Sequence, residues 1–319
     1  ATFQEAKDIT KWAFELSERM SCYCLVRSVS RLSHTRGSVR LGQVPTAERK
    51  ARLDTSRIFS TFPVVPKHLR AIEKLGQIQE VFETSPFNWY RGPERPELII
   101  VTAGSGWLCS WEAVKTLGLG ERVGIVKLGT IWPLPLKFLA KYLPRAQQLL
   151  VVEEIDPFIE DNLKIFSQAV GIESRIVLGK HSGHMKVSGE LSSDEVLEAI
   201  AGILGLQYQP RELEYNQKAQ KIIDSGILIS RDVTYCPGCP HRATFWAMKN
   251  ALRLNNKDGF LCNDIGCYGM ELFPGGTQLT RTHFVMGSGT GIAHGLGKLR
   301  RFGFEQDVMA ACGDSTFFH

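Results

Sequence analysis

Cys236-Pro237-Gly238-Cys239 sets two thiols three positions apart in a turn, and Cys267 lies in a glycine-rich loop that could return to them. Thiolates at this spacing bind zinc or an iron–sulfur cluster or act as a redox dithiol; a structural pair of free thiols is the plain alternative. No fourth ligand is obvious, because Cys262 falls in a predicted strand and Cys312 directly precedes another loop. That loop is Gly313-Asp314-Ser315. An Asp between small residues after an apolar run offers a hard cation one carboxylate beside exposed backbone N–H groups. Mg²⁺ takes one or two such carboxylates plus phosphate oxygens. On spacing alone Asp314 could equally cap a helix.

Two further glycine segments decide between these readings. Asn263-Asp264-Ile265-Gly266-Cys267-Tyr268-Gly269 and Met286-Gly287-Ser288-Gly289-Thr290-Gly291 come shortly before Asp314, and 12 of the 61 residues from Gly259 onward are glycine. Average usage is about 7%, so the backbone here is built for close approach, and a diphosphate suits it. Gly287-Ser288-Gly289 opens a predicted helix whose first N–H groups are unpaired and whose dipole favours anions. The glycines at 291, 295 and 297 also permit close helix-to-sheet packing, and His294 is expected to be a satisfied buried side chain rather than a ligand. Gly104-Ser105-Gly106 follows a predicted strand, but Cys109 stands where a dinucleotide fingerprint needs its third glycine, which favours a plain tight turn.

The elements that must position these residues alternate. Ile9, Trp12, Ala13, Leu16 and Met20 recur at helical spacing and lead into a strand-like run from Cys22 to Val26. A helix and strand without partners close no core, so residues 1–45 read as the end of a domain whose beginning is missing, in a chain cut at both ends. Residues 46–95 are polar and proline-interrupted, a connector carrying one helix through Leu69, Ile72, Leu75, Ile78 and Phe82. From 96 to 205, strands at Leu98–Thr102, Val123–Leu128, Leu149–Val152 and Arg175–Leu178 alternate with helices, which implies an α/β fold: a parallel sheet covered by helices on both faces. Residues 206–233 read as a linker. A second α/β unit, 234–319, has a helix after Cys239, a strand at Phe260–Cys262, a helix from Gly289 and a strand at Val308–Cys312. Its glycine loops then fall at strand C-termini, where open α/β sheets bind ligands.

Composition narrows the classes. With 43% hydrophobic residues, 22% charged residues and a net charge of +5 over 319 residues, the chain is of ordinary globular type. Its densest basic run, Lys298-Leu299-Arg300-Arg301, sits at a predicted helix C-terminus, where cations favour the dipole, so nucleic-acid binding is not expected. No apolar run reaches the roughly eighteen residues of a membrane span and no signal pattern opens the chain, so it reads as cytosolic, with no membrane partner. Eight cysteines are too sparse for a disulfide scaffold, and four of them fall between Cys236 and Cys267.

Taken together, Cys236–Arg242, Asp264–Tyr268, Met286–Gly295 and Gly313–His319 resemble the alpha subunits of indolepyruvate ferredoxin oxidoreductases, within the thiamine-diphosphate-dependent 2-oxoacid:ferredoxin oxidoreductases. The resemblance extends upstream through Arg31–Gly37, Ser85–Asn88, Lys127–Gly129 and Val151–Pro157, and so covers nearly the whole chain. It implies the tail of a pyrimidine-binding domain, a transketolase-C-like domain over 96–205 and the first part of a thiamine-diphosphate-binding fold. It places Mg²⁺ on Asp314 and the diphosphate on Gly313, Asp314 and Ser315, with Gly266, Cys267, Tyr268, Gly287, Ser288 and Gly289 around it. Cys236, Cys239 and Cys267 match positions that carry a [4Fe-4S] cluster in related enzymes.

The activity so implied is oxidative decarboxylation of an arylpyruvate to aryl-acetyl-CoA and CO₂, with electrons passing through iron–sulfur clusters to ferredoxin. Coenzyme A, a beta subunit and a dimer of heterodimers come with it. Several family features lie outside the chain: the glutamate that activates the thiamine ring, the second Mg²⁺ side chain beyond His319, and ferredoxin-like cysteine runs. The competing expectations are a non-oxidative thiamine-dependent decarboxylase or synthase, and a non-catalytic electron-transfer or assembly subunit.

Overall fold

The computed structural model describes residues 2–43, 55–56, 60–208, 211–229 and 232–318. It divides into two compact units, Ala1–Pro210 and Arg211–His319, and the division falls inside the expected linker.

The N-terminal unit opens with helix α1 (Phe3–Met20), which is started by the Thr2 hydroxyl accepting the Glu5 amide at 3.1 Å. A short α2 (Ser30–Ser33) and the long α3 (Val64–Glu83) follow. Leu16 packs with Ile78 and Phe82 in a small satellite core that joins α1 to α3. The strand expected at Cys22–Val26 does not form. A strand exists only through a hydrogen-bonded neighbour, none pairs with this run among the described residues, and Tyr23 and Leu25 lie in solvent. Residues 44–45, at the end of the expected 1–45 segment, and residues 46–54 and 57–59 of the expected 46–95 connector lie outside the described residues.

The main sheet is built from β1 (Trp89–Arg91), β2 (Leu98–Ala103), β3 (Val123–Leu128), β4 (Gln148–Val152) and β5 (Ile176–Leu178), in the order β1-β3-β2-β4-β5. Helices α4 (Gly106–Thr116), α5 (Leu136–Tyr142), α6 (Phe158–Ile165), α7 (Ser167–Val170) and α8 (Ser193–Ile203) connect and flank it. All pairings are parallel except β1 on β3. The parallel sheet expected from the alternation is therefore present, but with an antiparallel edge drawn from residues assigned to the connector.

Alternation within the strands explains the layers. Leu98, Ile100, Ile125, Leu150 and Val152 face α4 and α8, while Ile99, Val101, Val126, Leu149 and Val151 face α5, α6 and α7. Strands covered on both sides must be apolar at every position, as these nearly are. Two upstream sequence motifs fasten this frame. Asn88 donates to the Phe82 carbonyl and Thr130 hydroxyl at 2.9 and 2.7 Å, and its own carbonyl accepts the Gly129 and Thr130 amides. Glu153 accepts the Ile159 and Glu160 amides at 2.7 and 2.9 Å and so caps α6, and burial raises its pKa above the usual carboxylate value.

The C-terminal unit contains α9 (Leu213–Asp224), α10 (Pro240–Leu254), β6 (Gly259–Asn263), β7 (Thr280–His283), α11 (Ser288–Lys298), β8 (Asp307–Ala310) and α12 (Asp314–Phe317). Its sheet is all parallel, in the order β7-β6-β8. Helix α9 occupies residues expected as a linker. It buries none of its residues, so nothing in its local burial distinguishes it from an exposed connector. Strand β7 was not anticipated, because Thr280-Arg281-Thr282-His283 carries no apolar run. The last strand ends at Ala310 rather than Cys312, which leaves Ala311 and Cys312 outside it before the Asp314 loop. Among the described residues, no helix is long and apolar enough to cross a membrane.

Candidate functional site

Three loops leave the carboxyl ends of the small sheet and come together. The first begins where β6 ends. Asn263 and Asp264 are both fully buried, and the Asn263 amide donates to the Tyr268 carbonyl at 3.0 Å and to the Thr280 hydroxyl at 3.2 Å, tying β6 to β7. The Asp264 carboxylate accepts its neighbour's amide, Ile265, at 2.7 Å and also the amide of Gly287, at 2.9 and 2.8 Å to its two oxygens. The second loop is thus anchored to the first.

Gly287 adopts a left-handed conformation (φ 87°), and a side chain there would meet nothing closer than Thr316, at 4.0 Å. Only glycine takes this conformation without strain. Its position beside Thr316 brings the second loop to the third. Gly289 needs its lack of a side chain for another reason: a Cβ would stand 2.8 and 2.9 Å from the carbonyls of Cys262 and Asn263, so α11 starts hard against β6. No side chain caps α11. The Ser288 amide donates to the Val285 carbonyl at 2.9 Å; the first-turn amides after it, beyond the reach of intrahelical bonds, are an anion-binding end.

The third loop, Gly313-Asp314-Ser315, is held by Tyr268. The tyrosine hydroxyl accepts the Gly313 amide at 3.0 Å and donates to the Ile265 carbonyl at 2.9 Å. Its ring lies over Gly266, where a Cβ would come within 2.5 Å of the ring edge. Tyr235, buried beneath, directs its hydroxyl to the Tyr268 carbonyl at 3.3 Å, and burial pushes its pKa far up, with Glu271 adding to the rise. Tyr235 therefore stays neutral and a donor at any ordinary pH.

The expected residues Gly266, Cys267, Tyr268, Gly287, Ser288, Gly289, Gly313, Asp314 and Ser315 consequently lie on three interlocked loops. Asp314 and Ser315 are exposed at the start of α12. The amides of Gly287 and Gly313 are turned inward to Asp264 and Tyr268, and the Ser288 hydroxyl accepts the Val285 amide at 3.2 Å. His294, expected to be buried, is exposed on the outer side of α11, because the helix packs through its glycine start rather than through that turn. Cys236 and Cys239 close a turn, Cys239 N–H to the Cys236 carbonyl at 3.1 Å with Gly238 left-handed, and Cys236 and Cys267 are exposed. Among the described residues no three His, Cys, Asp or Glu side chains are grouped to hold a metal.

A diphosphate fits what is present: an uncapped helix start, an open left-handed glycine and a neighbouring exposed carboxylate. Asp314 alone suits an ion such as Mg²⁺, which asks for one or two carboxylates and takes the rest of its shell from phosphate and water. Asp264 is the residue that motif reasoning passed over as a site member. The signal was there, an ionisable side chain directly after the apolar run Phe260-Leu261-Cys262, where it must be buried.

No family model matches the chain. Curated relatives match along its length. Indolepyruvate oxidoreductase subunit IorA of Thermococcus kodakarensis is 35% identical over 99% of this chain and 50% of the relative. The IorA subunit of Pyrococcus horikoshii is 33% identical over 100% of this chain and 50% of the relative, and that of Archaeoglobus fulgidus 32% identical over 100% and 49%. Among solved structures, a 2-oxoglutarate:ferredoxin oxidoreductase from Magnetococcus marinus, with 2-oxoglutarate, coenzyme A and succinyl-CoA bound, is similar to 46% of this chain and 24% of that chain, with TM-score 0.34 and 16% identity. A split-gene transketolase, as an inactive beta4 tetramer, is similar over 38% and 43%, with TM-score 0.29 and 18% identity. By sequence the chain is similar along its length to the indolepyruvate oxidoreductase subunit IorA proteins, and it spans about half the length of the curated relatives it matches.

Proposed function

We propose that the chain is the cofactor-holding part of a thiamine-diphosphate-dependent oxidoreductase subunit that acts on arylpyruvates of the indolepyruvate type, yielding aryl-acetyl-CoA and CO₂ with ferredoxin as electron acceptor. The observation that carries the reading is the convergence of three glycine loops at the carboxyl end of a parallel sheet, with an uncapped helix start and an exposed Asp. The relatives' names support the substrate type; coenzyme A, ferredoxin, a beta subunit and a dimer of heterodimers are what the resemblance of the sequence motifs implies. A soluble, cytoplasmic setting without nucleic acid or membrane partners completes the reading.

Thiamine diphosphate, when bound, supplies the carbanion chemistry that breaks the bond between the carbonyl and carboxylate carbons of a 2-oxoacid. The work of this chain is binding and orientation. The first-turn amides of α11 after Ser288 would take phosphate charge, Asp314 and the Ser315 hydroxyl would hold the Mg²⁺ side, and Gly266, Cys267 and Tyr268 would form the wall behind. Cys236, Cys239 and Cys267 are not gathered into a ligand set among the described residues.

The test is a thermal shift on the intact protein. Thiamine diphosphate with Mg²⁺ at a hundred times its Kd stabilises by about 2.7 kcal/mol, a rise in Tm of about 5 °C for a protein of this size. Asp314→Ala is expected to abolish the shift. A wild-type protein that shows none overturns the reading.

A further inference from the structure

We infer that Asp264 and Tyr268 are positioning residues, a two-point clamp on one short segment that fixes where the Gly287 and Gly313 loops present their outward amides. The inference rests on the thiamine-diphosphate reading of the site and names what sets its geometry. Asp264 is fully buried, and its carboxylate is met by backbone N–H groups: Ile265 at 2.7 Å and Gly287 at 2.9 and 2.8 Å. None of the ion pairs among the described residues includes it. A buried carboxylate without a counter-ion is costly and is held only where its hydrogen bonds are well made. Here they pin a glycine that has open space around it and that would otherwise be free to turn.

Tyr268 does the same for the other loop, four residues on. Its hydroxyl sits between Ile265, to whose carbonyl it donates at 2.9 Å, and Gly313, whose amide it accepts at 3.0 Å. The ring is kept in place by Gly266 beneath it and by an edge contact with His241, 5.8 Å between centroids. Each clamp occupies one backbone amide and so fixes the place of the residues that follow it: Ser288 and Gly289 after Gly287, and Asp314 and Ser315 after Gly313. The amides of Gly287 and Gly313 are then fasteners, and the diphosphate is met by their successors.

Two conservative variants of the intact protein separate the halves of the clamp. Asp264→Asn keeps the shape but replaces one acceptor oxygen with an N–H₂ group. Tyr268→Phe keeps the ring and removes the hydroxyl. Hydrogen exchange followed by mass spectrometry on the ligand-free protein is expected to quicken about tenfold at residues 285–290 in Asp264→Asn, with 313–316 unchanged, and in the reverse pattern in Tyr268→Phe. Calorimetric titration with thiamine diphosphate and Mg²⁺ is expected to show about tenfold weaker binding in each, the scale of one buried hydrogen bond lost. Uniformly faster exchange across the unit, or loosened loops with unchanged affinity, would make both residues merely structural and overturn the clamp. Failure of the wild type to bind overturns the cofactor reading instead, and the loop-specific exchange still reports whether Asp264 and Tyr268 hold their loops.

Discussion

The two sheets of this molecule are held by different means. In the N-terminal unit the strands β2, β3 and β4 are mostly apolar and almost wholly buried on both faces, from Leu98 to Val152. In the C-terminal unit the buried apolar cluster is three residues, Tyr235, Phe245 and Leu261, and β7 and β8 are only half-buried. What the second sheet lacks in packing it replaces with directed hydrogen bonds from buried polar side chains: Asn263, Asp264 and Glu271, the last accepting the Thr277 amide at 2.8 Å and the Leu279 amide at 2.7 Å. Packing is tolerant of small shifts in geometry and hydrogen bonds are not. A frame can be built by the first; loops that must aim amides at a ligand are better built by the second.

The sharpest way to break the comparison is to damage packing where packing rules. Ile100→Ala removes a fully buried side chain from the centre of β2 and is expected to cost about 4 kcal/mol in denaturant unfolding of the N-terminal unit, while leaving thiamine diphosphate affinity unchanged. A cost below about 1 kcal/mol would mean that the two-faced core is not what stabilises this unit.

A polar tie inside the packed unit should behave differently from one at the loops. The Lys127 ammonium is buried in β3, paired with Glu5 of α1 and bonded to the Phe87 carbonyl at 3.0 Å. Glu5→Gln leaves that ammonium without its counter-ion and is expected to cost about 3 kcal/mol. The double variant Glu5→Leu with Lys127→Met should recover most of the loss, since a buried pair exchanged for apolar groups is near neutral. If the double variant is no more stable than Glu5→Gln, the charge pair was not the source of the loss.

Smaller still is the pH response of Glu153. Burial holds its pKa above the usual carboxylate value, although the Ile159 and Glu160 amides pull the other way. Between the usual value and the raised one the folded protein therefore binds more protons than the unfolded chain, so stability falls as pH rises through that window. Glu153→Gln should remove this slope from urea midpoints measured between pH 4 and pH 7. A wild-type midpoint that instead rises faster than the variant's would show that the amide bonds outweigh burial.

How legible each region was follows from the same contrast. The strands at 98–102, 123–128 and 149–152 announced themselves because burial on both faces forces continuous apolar runs. β1 and β7 did not, since an edge strand such as Trp89-Tyr90-Arg91 or Thr280-Arg281-Thr282-His283 takes its identity from a neighbour's backbone, which no local pattern records. The glycine loops were visible as composition. What linked them was not, because Asp264 to Gly287 and Tyr268 to Gly313 are separated by 23 and 45 residues. Conversely, the Ser85–Asn88 and Val151–Pro157 motifs, noticed only for their resemblance, prove to be fasteners of the frame through Asn88 and Glu153.

The mildest test compares two helix starts. In α8 the Ser192 hydroxyl accepts the Glu195 amide at 3.2 Å and seals the end, whereas α11 begins at Gly287 with no side-chain cap. Ser192→Ala is expected to cost about 1 kcal/mol, the usual worth of such a cap. If α11 is left open for an anion and α8 is closed for stability, inorganic diphosphate should raise the Tm of wild type and Ser192→Ala by the same increment. The gap between the two proteins would then survive at saturating ligand. A diphosphate effect that closes the gap would mean that the anion reaches exposed helix ends in general, and that the open start of α11 is no more selective than the one made at α8.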